Sequence, residues 1–203
     1  MNIVVFGSTG GTGKAFVEQA LQAGHHVTAF ARTPSKWTGT NENLEILQGD
    51  ALNEADVKRA VKGKEAVVSC LGSEGLKSKD TLTRMTGNIV DAMKEYDVKR
   101  FLYVASAGIY KEIPGFTGWM SQIILKNVLE DHRKAVNLIM AADLDYTIAR
   151  PMRLDHGDTT GTYRLSEAVP EGGKRINRSD VAHFLLQSLE KDQYVKQTAG
   201  MAY

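Results

Sequence analysis

The sequence predicts an α/β chain: one doubly wound parallel sheet with helices on both faces. Three observations carry this. Short β-branched runs alternate with longer helical stretches. A glycine-rich segment, Gly7-Ser8-Thr9-Gly10-Gly11-Thr12-Gly13, joins the first run to the first helical stretch. No linker-like tract divides the 203 residues, so a single domain is expected.

Ile3 to Phe6 reads as a buried strand, continuous in apolar residues and ended by glycine. Residues 12–23 read as a helix with Ala15, Phe16, Gln19, Ala20 and Ala23 along one side and Gly24 closing it. Strands follow at Val27 to Ala31, Leu44 to Leu47, Ala66 to Cys70 and Arg100 to Ala105. Helices are expected near 53–62 and 80–96, and residues 33–43 are polar and turn-rich. Residues 108–118, with Pro114 and three further glycines, read as a loop or short lid. One long helix is expected over 119–142, then a strand over 146–149 stopped by Pro151. Residues 155–178 look irregular, with a short strand near 162–165. Ser179 is expected to cap a last helix reaching about Glu190. Segments 108–120 and 151–178 would form a small substrate-side region.

Composition narrows the function classes. Twenty-five basic and 24 acidic residues leave a net charge of +1, which excludes a strongly cationic nucleic-acid binder and an acidic solvating chain. Cys70 is the only cysteine, so no internal disulfide forms and a reducing cytoplasmic compartment fits. No apolar run is long enough for a membrane span. His156 with Asp155 and Asp158 lacks the second histidine of a zinc site, so no metal is expected.

The glycine loop follows a strand and opens a helix, with glycines at 7, 10 and 13. Gly7 permits a tight turn, Gly10 lets backbone amides approach a pyrophosphate, and Gly13 lets helix and strand pack closely. The helix N-terminus adds unpaired N–H donors and partial positive charge. A nucleoside-triphosphate loop would need glycine at Ser8 and a hydroxyl at Ala15, so that reading fails. A dinucleotide is expected. For NAD, an acidic residue normally stands about 20 residues past the loop, on the ribose 2′-hydroxyl. This chain has Phe30-Ala31-Arg32-Thr33-Pro34-Ser35-Lys36 there, and no acid before Glu42. Arg32 first, and Lys36 second, suit a 2′-phosphate, so NADPH is expected. Asp50 is placed for the adenine amino group. The expected cofactor residues are Gly7, Thr9, Gly10, Gly11, Thr12, Gly13, Arg32, Lys36, Asp50, Ala51, Leu71, Gly72, Ser73, Pro151, Met152 and Arg153.

Taken with Gln48-Gly49-Asp50, Cys70-Leu71-Gly72, Val104-Ala105-Ser106-Ala107, Asp131-His132, Tyr146 to Pro151 and Ser179-Asp180-Val181, the loop resembles the atypical short-chain dehydrogenase/reductase group. The resemblance is to its NmrA-like, NAD(P)H-binding members, and most to the flavin reductases of the biliverdin reductase B type. It covers almost the whole chain. It implies a single Rossmann domain, NADPH, and reduction of flavins or similar planar acceptors. The chain departs from that pattern at Pro151-Met152-Arg153, where a Pro-Pro-His run is usual, and in the loop 108–118.

The wider superfamily works through Tyr-x-x-x-Lys, in which lysine lowers the tyrosine pKa. No tyrosine here has that partner; Tyr146 meets Arg150, on an expected strand. Carbonyl chemistry by that route is weakened, and a flavin or quinone acceptor fits better, since its proton can come from solvent. Ser106 and His132 are the candidate catalytic residues. Ser106 either bonds a substrate heteroatom beside the nicotinamide or satisfies backbone groups at a strand end. His132 shares a helical face with Ile124, Val128, Ala135 and Ile139 and is either a core histidine or a proton donor at the pocket wall. Tyr110, Phe116 and Trp119 are candidate aromatic walls for the acceptor. Arg153 suits either a substrate anion or the cofactor's phosphates. The expected partner is a small planar acceptor, with no nucleic acid, no membrane, and a monomer or weak homodimer. The alternative function is a dinucleotide-sensing protein without turnover.

Overall fold

The computed structural model describes residues 1–73, 75 and 79–203, with the side chains of residues 116, 117 and 121 outside the description. Ten strands and six α-helices follow one another along these described residues. In order they are β1 (Asn2–Phe6), α1 (Gly11–Gln22), β2 (His26–Ala31), β3 (Leu44–Gln48), α2 (Glu54–Val61), β4 (Ala66–Ser69), α3 (Thr81–Glu95) and β5 (Arg100–Val104). Then come α4 (Gly115–Ile124), α5 (Lys126–Ala141), β6 (Asp145–Pro151), β7 (Arg153–Asp155), β8 (Arg164–Ser166), β9 (Arg175–Asn177), α6 (Arg178–Glu190) and β10 (Gln197–Ala202).

The main sheet runs β3-β2-β1-β4-β5-β6-β10-β8, parallel except for β8, which is antiparallel to β10. Strands β7 and β9 form a separate parallel pair. The first six strands carry the doubly wound order that the alternating pattern predicts. Strands β4 and β5 are fully buried because helices cover both faces, which is why Ala66 to Val68 and Phe101 to Val104 read as apolar runs. One core holds Val4, Phe6, Phe101 and Tyr103 against α2, α3 and α5; the other holds Ile3, Val5, Leu102 and Val104 against α1 and α6.

Several expectations need correction. The helix expected over 119–142 is two helices, α4 and α5, meeting at Leu125. The break resets the helical phase. Ile124, expected on the inner face with His132, is 54% exposed, while Ala135 and Ile139 are buried. Residues 115–118, read as loop, begin α4. Pro151 does not stop β6 but ends it from within. Ser179 does not cap α6: Asn177 stands at the N-cap, and the Ser179 hydroxyl donates to the Gly157 carbonyl. The C-terminal segment, not read as a strand, is β10, pairing Gly200 with Arg150 of β6 and Ser166 of β8. Its composition hides it. A Cβ at Gly200 would fall 1.8 Å from the Ala168 carbonyl oxygen, so packing demands a residue of low strand propensity.

Candidate dinucleotide site

The loop between β1 and α1 folds as its glycines require. Gly7 has φ +72, and a Cβ there would lie 2.6 Å from the Cys70 carbonyl carbon. A Cβ on Gly13 would lie 2.2 Å from the Gly7 oxygen. The Gly10 amide donates to the Gly7 carbonyl at 3.0 Å, closing the turn. Helix α1 then starts at Gly11 with its first amides lacking intrahelical acceptors. Buried Ser8 donates to the Phe30 carbonyl at 2.9 Å and accepts from the Trp37 indole at 3.3 Å. This pair locks the loop to the end of β2.

A cleft of about 200 Å³ opens at the carboxyl ends of β1, β2 and β4. Ligands bind at this edge in doubly wound sheets. Of the expected cofactor residues, Gly7, Thr9, Gly10, Arg32, Asp50, Ala51, Leu71 and Gly72 line it. Phe30, Ala31, Gly49, Cys70 and Met85 line it too and were not among the expected cofactor residues. A Cβ at Gly49 would meet the Phe30 ring at 2.5 Å, so glycine keeps this wall thin. Asp50 accepts from the Leu52 amide at 2.9 Å, and its own amide donates to Asp56 at 3.0 Å, which fixes its place in the wall. Burial pushes the Cys70 thiol up to about 12, so it stays an unreactive thiol.

The cradle therefore fits a dinucleotide: glycine-only approach, open amides at a helix N-terminus, and a cation at the end of β2. Thr12 and Gly13 are buried inside α1, beneath the loop rather than in the cleft. Lys36 is exposed on the short 3₁₀ turn Pro34–Lys36 and does not line the cleft. Ser73 lies beyond Gly72, its hydroxyl buried without a hydrogen bond among the described residues.

The ends of β5 and β6 stay paired past the strands, with the Ala107 amide donating to the Pro151 carbonyl at 2.9 Å. This holds Ser106 and Pro151 at the same carboxyl edge. The half-buried Ser106 hydroxyl donates to the Ala107 carbonyl at 3.0 Å, a local backbone contact. Met152 is tied to β10 through the Met201 carbonyl.

Other expected site residues stand elsewhere. Arg153 faces solvent and pairs with Asp155 at 3.2 Å, outside the cleft. Tyr110 lies beneath the Arg150 guanidinium, 5.3 Å from its ring centre, and donates to the Met140 sulfur. It stands past the end of β5, apart from the glycine-loop cleft, and was expected on the acceptor side rather than in that cleft. Trp119 is 59% exposed on α4 and does not line the cleft either. The Phe116 side chain lies outside the described residues. His132 is buried, and its Nδ1 has no partner among the described residues. Burial lowers its pKa to about 4, against the pull of Asp131, so it is neutral at pH 7 and is a core residue outside the cleft. Its neighbour Asp131 does the visible work, accepting from the Leu82 and Thr83 amides at the N-terminus of α3.

A family model described as NAD(P)H-binding matches residues 7–192. The chain belongs to this NAD(P)H-binding family. Among curated relatives, the reductase pytE of Aspergillus terreus is 27% identical, over 98% of this chain and 95% of its own length. The photosystem II assembly factor Ycf39 of Synechocystis is 24% identical over 98% of this chain, which spans only 61% of that protein. Among solved structures, a Rossmann-fold NAD(P)-binding family protein from Shigella flexneri superposes with a TM-score of 0.80 at 28% identity. It covers 98% of this chain and 92% of its own. The family's NAD(P)H-binding description agrees with the glycine cradle. No described helix is long and apolar enough to cross a membrane.

Proposed function

We propose that this chain is an NADPH-dependent oxidoreductase acting on a flavin, a quinone or a similar planar acceptor. The observation that carries the cofactor choice is Arg32. It lines the cleft just past β2, and residues 30–41 contain no carboxylate to receive a ribose 2′-hydroxyl. A guanidinium there suits the 2′-phosphate. The bound dinucleotide supplies a hydride from its nicotinamide ring. The chain's own residues bind and orient. The Gly7 to Gly13 loop receives the diphosphate, Asp50 and Phe30 wall the adenosine side, and Ser106 and Pro151 stand at the edge where the nicotinamide is expected.

The acceptor class rests on the missing Tyr-x-x-x-Lys pair, which leaves carbonyl chemistry without its usual proton donor. Tyr103 is fully buried, and Tyr163 faces His183 at 3.0 Å on the α6 side. Of the two Tyr-x-x-x-Arg pairs, Tyr96 and Arg100 span the turn from α3 to β5, with Arg100 donating to the Ser188 carbonyl, and Tyr146 and Arg150 lie on β6, where Arg150 is locked in a buried ion pair. An acceptor that draws its proton from solvent needs none of these. The same absence favours a second reading, a dinucleotide sensor without turnover, and Ycf39 is by name an assembly factor. NADPH oxidation with FMN, riboflavin and a quinone as acceptors separates the two. Tight NADPH binding without oxidation would select the sensor.

A further inference from the structure

Gly11 is the first residue of α1, and its backbone is not in the left-handed region that usually calls for glycine. The spacing rule for the loop asks for glycine at 7, 10 and 13, not at 11. Its reason lies 167 residues away in sequence. A Cβ on Gly11 would fall 2.5 Å from Cδ and 3.1 Å from Nε of Arg178, the first residue of α6. The Arg178 stem packs against Gly11 at the start of α1, and its Nη1 donates to the Leu154 carbonyl at 3.2 Å.

This is an unfavourable place for a cation. Arg178 sits at the N-terminus of its own helix and against that of α1, where helix dipoles favour anions. No described carboxylate answers it. Asp180, in the same turn, is already used. Its two oxygens accept from the amides of Thr160 and Gly161 and the hydroxyls of Thr160 and Tyr203. Asp155 pairs with Arg153 and Arg175 instead. Glycine at 11 costs the helix conformational entropy relative to alanine, and what it secures is room for this guanidinium.

We propose that Arg178 is a second cation of the dinucleotide site, reaching from α6 across Gly11 to the diphosphate. The inference rests on the dinucleotide reading above. A diphosphate at the loop would supply the negative charge that the two helix ends and Arg178 lack. Arg32 and Arg178 then divide the work: one reads the 2′-phosphate, the other holds the bridge common to all such dinucleotides.

The test is NADPH binding by titration calorimetry with the purified full chain. Arg178→Gln should weaken NADPH at least tenfold, and Arg178→Lys should restore most of that loss. Gly11→Ala, which pushes the arginine aside without removing any group, should weaken NADPH in the wild-type background. Added to Arg178→Gln, it should change affinity less than twofold, because the two changes act through one contact. Less than a tenfold loss in Arg178→Gln, no rescue by lysine, or a full additional loss from Gly11→Ala would each overturn the role of Arg178. Failure of the wild-type chain to bind NADPH or NADH would instead overturn the dinucleotide reading, and the Arg178 proposal with it.

Discussion

Arg150 of β6 and Glu112 of the β5–α4 loop form an ion pair at 2.5 Å with side chains only 1% and 8% exposed. Arg150 also donates to Thr198 at 3.2 Å and to the Glu167 carbonyl. One guanidinium therefore ties three segments to β6: the loop after β5, the segment after β8, and β10. Removing one partner of a buried pair leaves an uncompensated charge. Glu112→Ala should destabilise the chain by about 3 kcal/mol, read as a shift in urea midpoint. Joint replacement by Glu112→Leu and Arg150→Met should recover much of that loss, because no charge is then stranded. A Glu112→Ala cost under about 1 kcal/mol would show that water reaches the pair.

The glycine loop makes a second prediction. Gly13→Ala would drive a Cβ to within 2.2 Å of the Gly7 carbonyl oxygen, a backbone atom that cannot swing away. Either α1 shifts or the Gly7 turn opens. NADPH affinity should fall by more than about tenfold, and stability by about 1–3 kcal/mol, a size usual for overpacking. Alanine at Gly24, with open space around it, should leave NADPH binding unchanged. Its φ of +82 should still cost about 1 kcal/mol of stability.

Burial of His132 gives a pH dependence with a definite sign. Its pKa falls from 6.5 to about 4 on folding. Below pH 6.5 the unfolded chain binds a proton that the folded chain refuses until about pH 4. Stability is therefore lost as pH falls through that window, by about 2 kcal/mol between pH 7 and pH 5. Urea unfolding at the two pH values measures it. His132→Gln should flatten this part of the profile, and an unchanged slope would mean that the imidazole is protonated in the fold.

Much of the fold was readable because it rests on local patterning. Ile3 to Phe6 and Ala66 to Val68 are apolar without interruption, and sheets covered on both faces demand that. The phosphate loop was readable because glycine positions encode close backbone approach. The acceptor side was not. Tyr110 and Trp119 are aromatic in a loop and on a helix, and nothing in the sequence says that Arg150 and Met140 claim the tyrosine. His132 shares its face with apolar residues, which fits a core position and a pocket wall equally well; the burial that decides between them is tertiary. Arg178 was invisible for the same reason, since its partner Gly11 lies at the other end of the chain.

Arg32 decides between the two dinucleotides. Replacing it with glutamate puts a carboxylate where a ribose 2′-hydroxyl would donate. Affinity for NADPH should fall by about 10- to 100-fold while NADH holds or improves, as measured by parallel calorimetric titrations. Equal losses for both would place Arg32 on a group that the two dinucleotides share.

The central claim is hydride transfer from NADPH to a planar acceptor. Its most direct measurement is the loss of 340 nm absorbance when the purified chain meets NADPH with FMN, riboflavin or a quinone, with NADH as the control. The account predicts acceptor-dependent oxidation of NADPH, faster than of NADH, and weakened by Gly13→Ala at limiting NADPH. NADPH bound tightly but consumed with none of these acceptors would contradict it.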